Sequence, residues 1–230
     1  MAFTSVRSWR ALLVSIHVVS SVCWLGEALA LVALLTLSAS SPPGESKVAA
    51  AAMADVLDLE VLGFSAMIAA LTGFGLSTIT SWGYFQHWWV SAKFVLTVAQ
   101  LALGTLVLGQ ALPGVVVAAR AGTDGAALPV AVGLGLVTAG LALQVWLSVA
   151  KPGGRTPRGR KANGRRPTAP VAVFAMMVVL PLVDVALHVV ASVSLPILTP
   201  VGLVVALVLR QRQARRVRGV GVSASVAAAT

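Results

Sequence analysis

The chain has 230 residues, 58% of them hydrophobic and only 10% charged, with a mean hydropathy of +0.93. That composition leaves too little polar surface for one globular domain to stay in water, so soluble enzymes and soluble binding modules are excluded and a multi-pass membrane protein remains. The net charge of +10 invites a nucleic-acid reading, but basic loops are what membrane insertion requires and they also attract anionic headgroups, so nucleic acid is not expected as a partner.

A transmembrane helix needs about 20 mostly apolar residues. The first such run extends from Ala11 to Leu37. Arg7 and Arg10 before it and Leu37-Ser38-Ala39-Ser40 at its end imitate a signal peptide. The run is longer than an h-region of about 7 to 15 residues and contains Glu27, so it reads as a retained anchor. Cys23, the only cysteine, is expected to be buried in this stretch without a partner, which rules out a disulfide framework and a cysteine-based metal site.

The second span is expected from Val61 to Thr80, the third from Trp88 to Val107, the fourth from Val130 to Ala150 and the fifth from Val171 to Val190. Leu195 to Leu209 is short and interrupted by Pro196 and Pro200; it either crosses as a sixth span, the favoured reading, or dips back as a re-entrant segment. Gly219 to Thr230 reads as a disordered tail of small residues. The expected fold is therefore all-α, a polytopic transmembrane helix bundle. A four-helix core covers 9–151, a basic loop 152–170, a C-terminal helical hairpin 171–210, and a basic then disordered tail 211–230.

Lysine and arginine placement sets the orientation. The link from Lys151 to Arg166 carries seven positive charges and no negative one, which puts it in the cytoplasm. The first loop, with Glu45, Asp55, Asp58 and Glu60 against Lys47, then lies outside, and the N-terminus and the arginine-rich C-terminus lie inside. The expected location is a bacterial cytoplasmic (inner) membrane, with anionic headgroups meeting the basic loop and either a second copy or another membrane protein as partner.

Ionisable groups at membrane depth are costly unless they face a partner or water, so they are the functional leads. At a rise of about 1.5 Å per residue, His17 lies about 10 Å beyond Arg10, and Lys93 about 9 Å beyond His87. Thr72 and Gln144 fall at about 13 and 10 Å from the same face, giving one polar layer drawn from four helices. A second layer is expected near the outer face, with Glu27 about 25 Å up the first helix and Asp184 and His188 about 21 and 27 Å up the fifth. Asp184 and His188 are one turn apart, placed for a carboxylate to orient an imidazole.

The bland alternatives stay open. Lys93 is within reach of the headgroups by snorkelling, and His17 suits an interhelical hydrogen bond. Trp82, Tyr84, Trp88 and Trp89 suit an interfacial belt, and Gly73, Gly75, Gly133 and Gly135 suit close helix approach. His17-Val-Val-Ser-Ser-Val and His188-Val-Val-Ala-Ser-Val differ at one position, which chance explains in a chain so rich in Val, Ala and Ser. No nucleotide loop, hydrolase triad or metalloprotease motif is present.

The string His17-Val-Val-Ser-Ser-Val-Cys23-Trp24-Leu25-Gly26 resembles the opening helix of the bacterial membrane proteins grouped around the copper-resistance family CopD. Leu71-Thr72-Gly73, Trp82-Gly83-Tyr84-Phe85-Gln86-His87-Trp88-Trp89-Val90-Ser91-Ala92-Lys93 and Lys151-Pro152-Gly153-Gly154-Arg155 are similar to an actinobacterial family of integral membrane proteins of unknown function within that group. The resemblance covers about residues 9 to 160 and departs from the group at Glu27, where a second glycine is usual. It implies a CopD-like core of four helices. The HemJ family of haem synthesis is a more distant relative, and it implies a haem b site. His17 and Lys93 match its first-helix histidine and third-helix lysine in type and order. Three classes follow: a haem or porphyrin protein, as an oxidoreductase acting on a porphyrin if it is an enzyme at all; a copper-handling protein, for which Cys23, Met53, Met67, Met176 and Met177 form no spaced cluster; and a non-catalytic membrane partner whose polar layer fixes helix register.

Overall fold

A computed structural model describes residues 5–80, 82–161, 169–191, 193 and 195–227, and the side chains at 161 and 213–227 lie outside that description. The described residues form an all-α bundle, in which five helical segments are long and apolar enough to cross a bilayer. The chain is a multi-pass membrane protein.

Helix α1, Val6–Ser40, starts where Ser5 caps it by accepting from Ser8 N at 3.3 Å. Its buried residues Leu13, Ser20, Trp24, Ala28, Leu31, Leu35 and Ser38 recur at steps of three, four and seven, one stripe along the helix. Val18, Val19, Val22 and Leu29 point the other way, toward lipid. Cys23 is on that exposed side as well, against the expectation of burial, because it lies out of phase with the stripe through Ser20 and Trp24.

Ser41-Pro42-Pro43-Gly44 reverses the chain, since a residue before proline is pushed out of the helical region. Helix begins again at once. α2 (Glu45–Leu57), a π-turn (Asp58–Leu62) and α3 (Gly63–Ile79) form one rod where the sequence suggested an outer loop followed by a span from Val61. The cause is alanine: Ala49 to Ala52 and Ala54 are too weakly apolar to read as membrane sequence but are the best helix formers, and Ala50, Ala51 and Ala54 bury against α1.

The third rod is also longer than expected, with α4 (Trp88–Leu103), a second π-turn (Gly104–Leu108) and α5 (Gly109–Arg120). Its partner α6 (Ala127–Ala150) has 24 residues, about 36 Å, against about 50 Å for the rod. The two are nevertheless joined closely at both ends, by 121–126 at one and by Trp88 N donating to Gly154 O at 3.3 Å at the other. The longer rod must bend, and a π-turn followed by Pro113 supplies the means.

α7 (Pro157–Lys161) is a single turn, α8 (Val171–Ala191) is the fifth apolar span, and α9 (Leu198–Ala227) packs on α3 and α8. The apolar part of α9 ends at Leu209. Arg210 Nη2 donates to Thr80 O at 3.0 Å, so α9 runs back toward the end where α3 finishes. Its helical backbone extends over most of the segment read from sequence as a tail, and 228–230 lie outside the described residues.

Among the described residues two large cores hold the bundle, with a small third cluster of Trp89, Val90 and Leu147 between α4 and α6. The larger joins α1, α2, α5 and α6 around Trp24, Leu31, Leu112, Val115 and Leu134. The smaller, around Leu13, Ile79, Phe174 and Met177, seats α8 and α9 against the start of α1. Charge divides along the same axis. Arg7, Arg10, Lys151, Arg155, Arg158 and Arg160 gather at the end with Ser5 and Thr80, and Glu45, Asp55, Asp58, Glu60 and Asp124 toward the opposite end. At the acidic end Lys47, only 1% exposed, donates to Ser38 O and Asp124 Oδ1, both at 2.6 Å, and so latches α2 to the α5–α6 turn.

Candidate functional site

The inner polar layer resolves into two separate constellations. On α1 the His17 ring points its Nδ1 at Ala69 O (2.9 Å) and Thr72 Oγ1 (3.2 Å) of α3. A carbonyl oxygen only accepts, so Nδ1 carries the hydrogen and Nε2 is the nitrogen with the free lone pair. Nε2 makes no hydrogen bond among the described residues. The ring fits because position 73 is glycine: a Cβ there would stand 2.9 Å from His17 Cε1. Gly135, by contrast, meets nothing within 4 Å, so it does not serve the close approach expected of it.

Lys93, Thr97 and Gln100 line one face of α4 at helical spacing and meet α6. Lys93 Nζ donates to Ser148 Oγ at 2.7 Å, Thr97 Oγ1 to Gln144 Oε1 at 2.9 Å, and Gln100 Nε2 to Val137 O at 2.8 Å, while Gln144 Nε2 donates to Gln100 Oε1. This is a polar seam of the kind that fixes helix register in lipid. Lys93 points into the protein rather than into lipid. α4 leans on α3 and α6 without extended contact with α1. Around the basic end of this space Phe74, Tyr84, Phe85 and Phe94 form one aromatic cluster, with Phe94 5.2 Å from both Phe74 and Tyr84. Tyr84 OH donates to Phe74 O at 2.6 Å and lies 2.8 Å from Thr78 Oγ1. Burial pushes the Tyr84 hydroxyl above its ordinary value, with the Thr78 contact opposing.

The outer layer does not form a single site. Asp184, 2% exposed, accepts from Ile197 N (3.1 Å) and Leu198 N (3.0 Å) through Oδ1, and from Thr199 N (2.7 Å) and Thr199 Oγ1 (2.6 Å) through Oδ2. It satisfies the first-turn amides of α9 and faces the positive end of that helix. It therefore does not orient His188, as its spacing suggested. His188 stacks on Phe64 (centroids 4.2 Å apart) and sets Nε2 against Glu60 O (2.8 Å) and Nδ1 against Val193 O (3.0 Å). A neutral ring has one N–H, and only the protonated ring donates to both carbonyls. Glu27 accepts from Ser65 Oγ at 2.5 Å.

Sequence reasoning did not single out Ser65, Ser148 or Thr97. Gln100, seven residues beyond Lys93, is expected on the same face from spacing alone, and Thr97 was open to discovery by the same argument; the serines have no signal of their own. Among the described residues no group of three or more His, Cys, Asp or Glu comes together as a metal site. Comparisons with protein-family models, with curated proteins and with solved structures find no match to the chain.

Proposed function

We propose that the chain is a membrane protein of a bacterial inner membrane, its basic end cytoplasmic, that holds a haem-like ligand between α1 and α4. The observation that carries this is the tautomer of His17. An imidazole whose Nδ1–H is committed to a backbone carbonyl presents Nε2 as a donor of fixed orientation, the arrangement typical of ligating histidines. The donor set fits a haem b in three respects: one bare imidazole nitrogen, a cation in Lys93 set back from it, and Arg7 and Arg10 at the boundary to neutralise propionates. The lysine is better suited to counter-charge than to axial ligation, because ligation would take it from Ser148 Oγ. Bound haem would supply one-electron chemistry; His17 would orient it, and the Phe74–Phe94 cluster would keep water from its edge. Resemblance to the HemJ and CopD-like groups points the same way. A copper site is the weaker alternative, since among the described residues no three His, Cys, Asp or Glu converge and Cys23 is exposed on α1.

The Gln100–Gln144–Thr97 seam supports a second reading, in which the polar layer only fastens helices. The visible spectrum of the full chain, purified from cells supplied with a haem precursor, separates the two. A Soret band in the wild type that is lost in His17→Ala and kept in Gln144→Ala is expected. A folded wild type without the band, or a band indifferent to His17, overturns the ligand reading and leaves the fastening role.

A further inference from the structure

We infer that the basic end carries a specific site for one anionic phospholipid headgroup, built by Arg10, Trp82 and Lys151. Three elements meet there. Arg10 comes from the first turns of α1, Trp82 from the link between α3 and α4, and Lys151 from the end of α6. The Arg10 guanidinium lies 5.5 Å and the Lys151 ammonium 5.7 Å from the centroid of the same Trp82 ring. Two like charges are thus set over one ring, no further apart than the sum of those contacts.

Among the described residues no acidic side chain neutralises them. All seven acidic residues, Glu27, Glu45, Asp55, Asp58, Glu60, Asp124 and Asp184, lie along the apolar spans or toward the other end. Neither the Arg10 nor the Lys151 side chain makes a hydrogen bond among the described residues, so the guanidinium fork and the three ammonium donors are unspent, and both residues are exposed. The backbone also holds Lys151 in place at a cost. It is the one non-glycine residue of positive φ among the described residues (φ 47°, ψ 50°), a conformation unfavourable for a side chain, where glycine would be the easy choice.

The surroundings decide the source of the anion. Trp82 is 37% exposed and stands edge-on to Trp89 at 5.2 Å, beside the exposed Trp88 and Phe85, an aromatic girdle of the sort that sits at headgroup level. A phosphodiester at this level brings acyl chains that lie along the exposed face of α1 near Val14 and Val18, which a free phosphate ion lacks. Arg10 is common to this site and to the propionate end of the proposed ligand site, whereas Trp82 and Lys151 belong to this site alone, so Lys151→Gly read by Tm and His17→Ala read by the Soret band keep the two failures separate.

The test is thermal unfolding of the full chain in mixed micelles with added phosphatidylglycerol, phosphatidylcholine or inorganic phosphate at equal phosphate. A saturable rise in Tm with phosphatidylglycerol alone is expected, reduced at high salt. The double substitution Arg10→Gln with Lys151→Gln should abolish most of the rise. Arg155→Gln with Arg158→Gln, which removes the same charge from the same end, should leave it. Because Lys151→Gly relieves the backbone, that variant folds at least as well as the wild type while losing at least half of the rise, and it decides the matter if the double variant does not fold. Equal losses in both double variants would mean diffuse attraction and overturn the site. So would a rise untouched by Lys151→Gly, or one matched by inorganic phosphate.

Discussion

The two polar regions of the bundle differ in how completely their donors and acceptors are used. In the outer region Asp184 takes four hydrogen bonds, His188 has a carbonyl opposite each ring nitrogen, and both tie together elements distant in sequence. In the inner region the α4–α6 seam is equally closed, but His17 spends one nitrogen and keeps the other. A buried polar group whose partners are all internal is part of the fold. One that keeps a directed lone pair at membrane depth retains something to offer a ligand, and that difference separates structure from function here better than depth does.

The comparison is broken most severely at Asp184. Asp184→Ala leaves three amides and a hydroxyl at the start of α9 without their partner, those of Thr199 buried and those of Ile197 and Leu198 part-buried, and buried donors left unpaired cost about 1–3 kcal/mol. Denaturant or SDS unfolding should show that loss, with α9 becoming protease-sensitive first, while Asp184→Asn should keep a good part of the stability. An unfolding curve unchanged by the alanine would mean that the carboxylate does not hold α9.

His17→Ala should behave in the opposite way. Interhelical hydrogen bonds in membranes are worth about 0.6 kcal/mol on average and about 1.7 at most, so stability should fall by about 1 kcal/mol while the Soret band of the proposed ligand site is lost. A large loss of stability together with no spectral change would reverse the assignment of the two regions. Gln144→Ala sharpens the contrast from within the inner layer. It cuts two bonds of the seam, should cost about 1–2 kcal/mol in the same unfolding assay, and should leave any ligand spectrum in place.

Much of this was legible from residue order. Apolar run length located the helices, lysine and arginine counts separated the two ends, and the rise per residue put His17 and Lys93 at one depth. Partners were not legible. His17 is held by a backbone carbonyl, Ala69 O, which every residue possesses, and Lys93 is held by Ser148, a serine among many. Asp184 and His188 share a helix face, but the amides of α9 are stronger partners for a carboxylate than an imidazole already set between two carbonyls. Helix lengths were misjudged where propensity and apolarity part company, as at Ala49 to Ala52, and π-turns leave no residue signature comparable to proline.

The smallest expected effect tests whether the aromatic cluster at the basic end is as dry as its geometry implies. Tyr84 lies in the link between α3 and α4, and burial raises its hydroxyl above the ordinary value of 10.0. The folded protein thus holds that proton more tightly than the unfolded chain does, and the stabilisation is complete below pH 10 and lost as pH rises through the folded value. Tyr84→Phe removes the group along with its bond to Phe74 O, so at neutral pH it should lower stability by about 1 kcal/mol. Above pH 10 the wild type should lose stability faster than the variant, because arginines and lysines titrate alike in both, and the two unfolding midpoints should draw together. Parallel midpoints from pH 8 to pH 11 would show that Tyr84 titrates as it does in water, and that solvent reaches the edge of the space between α3 and α4.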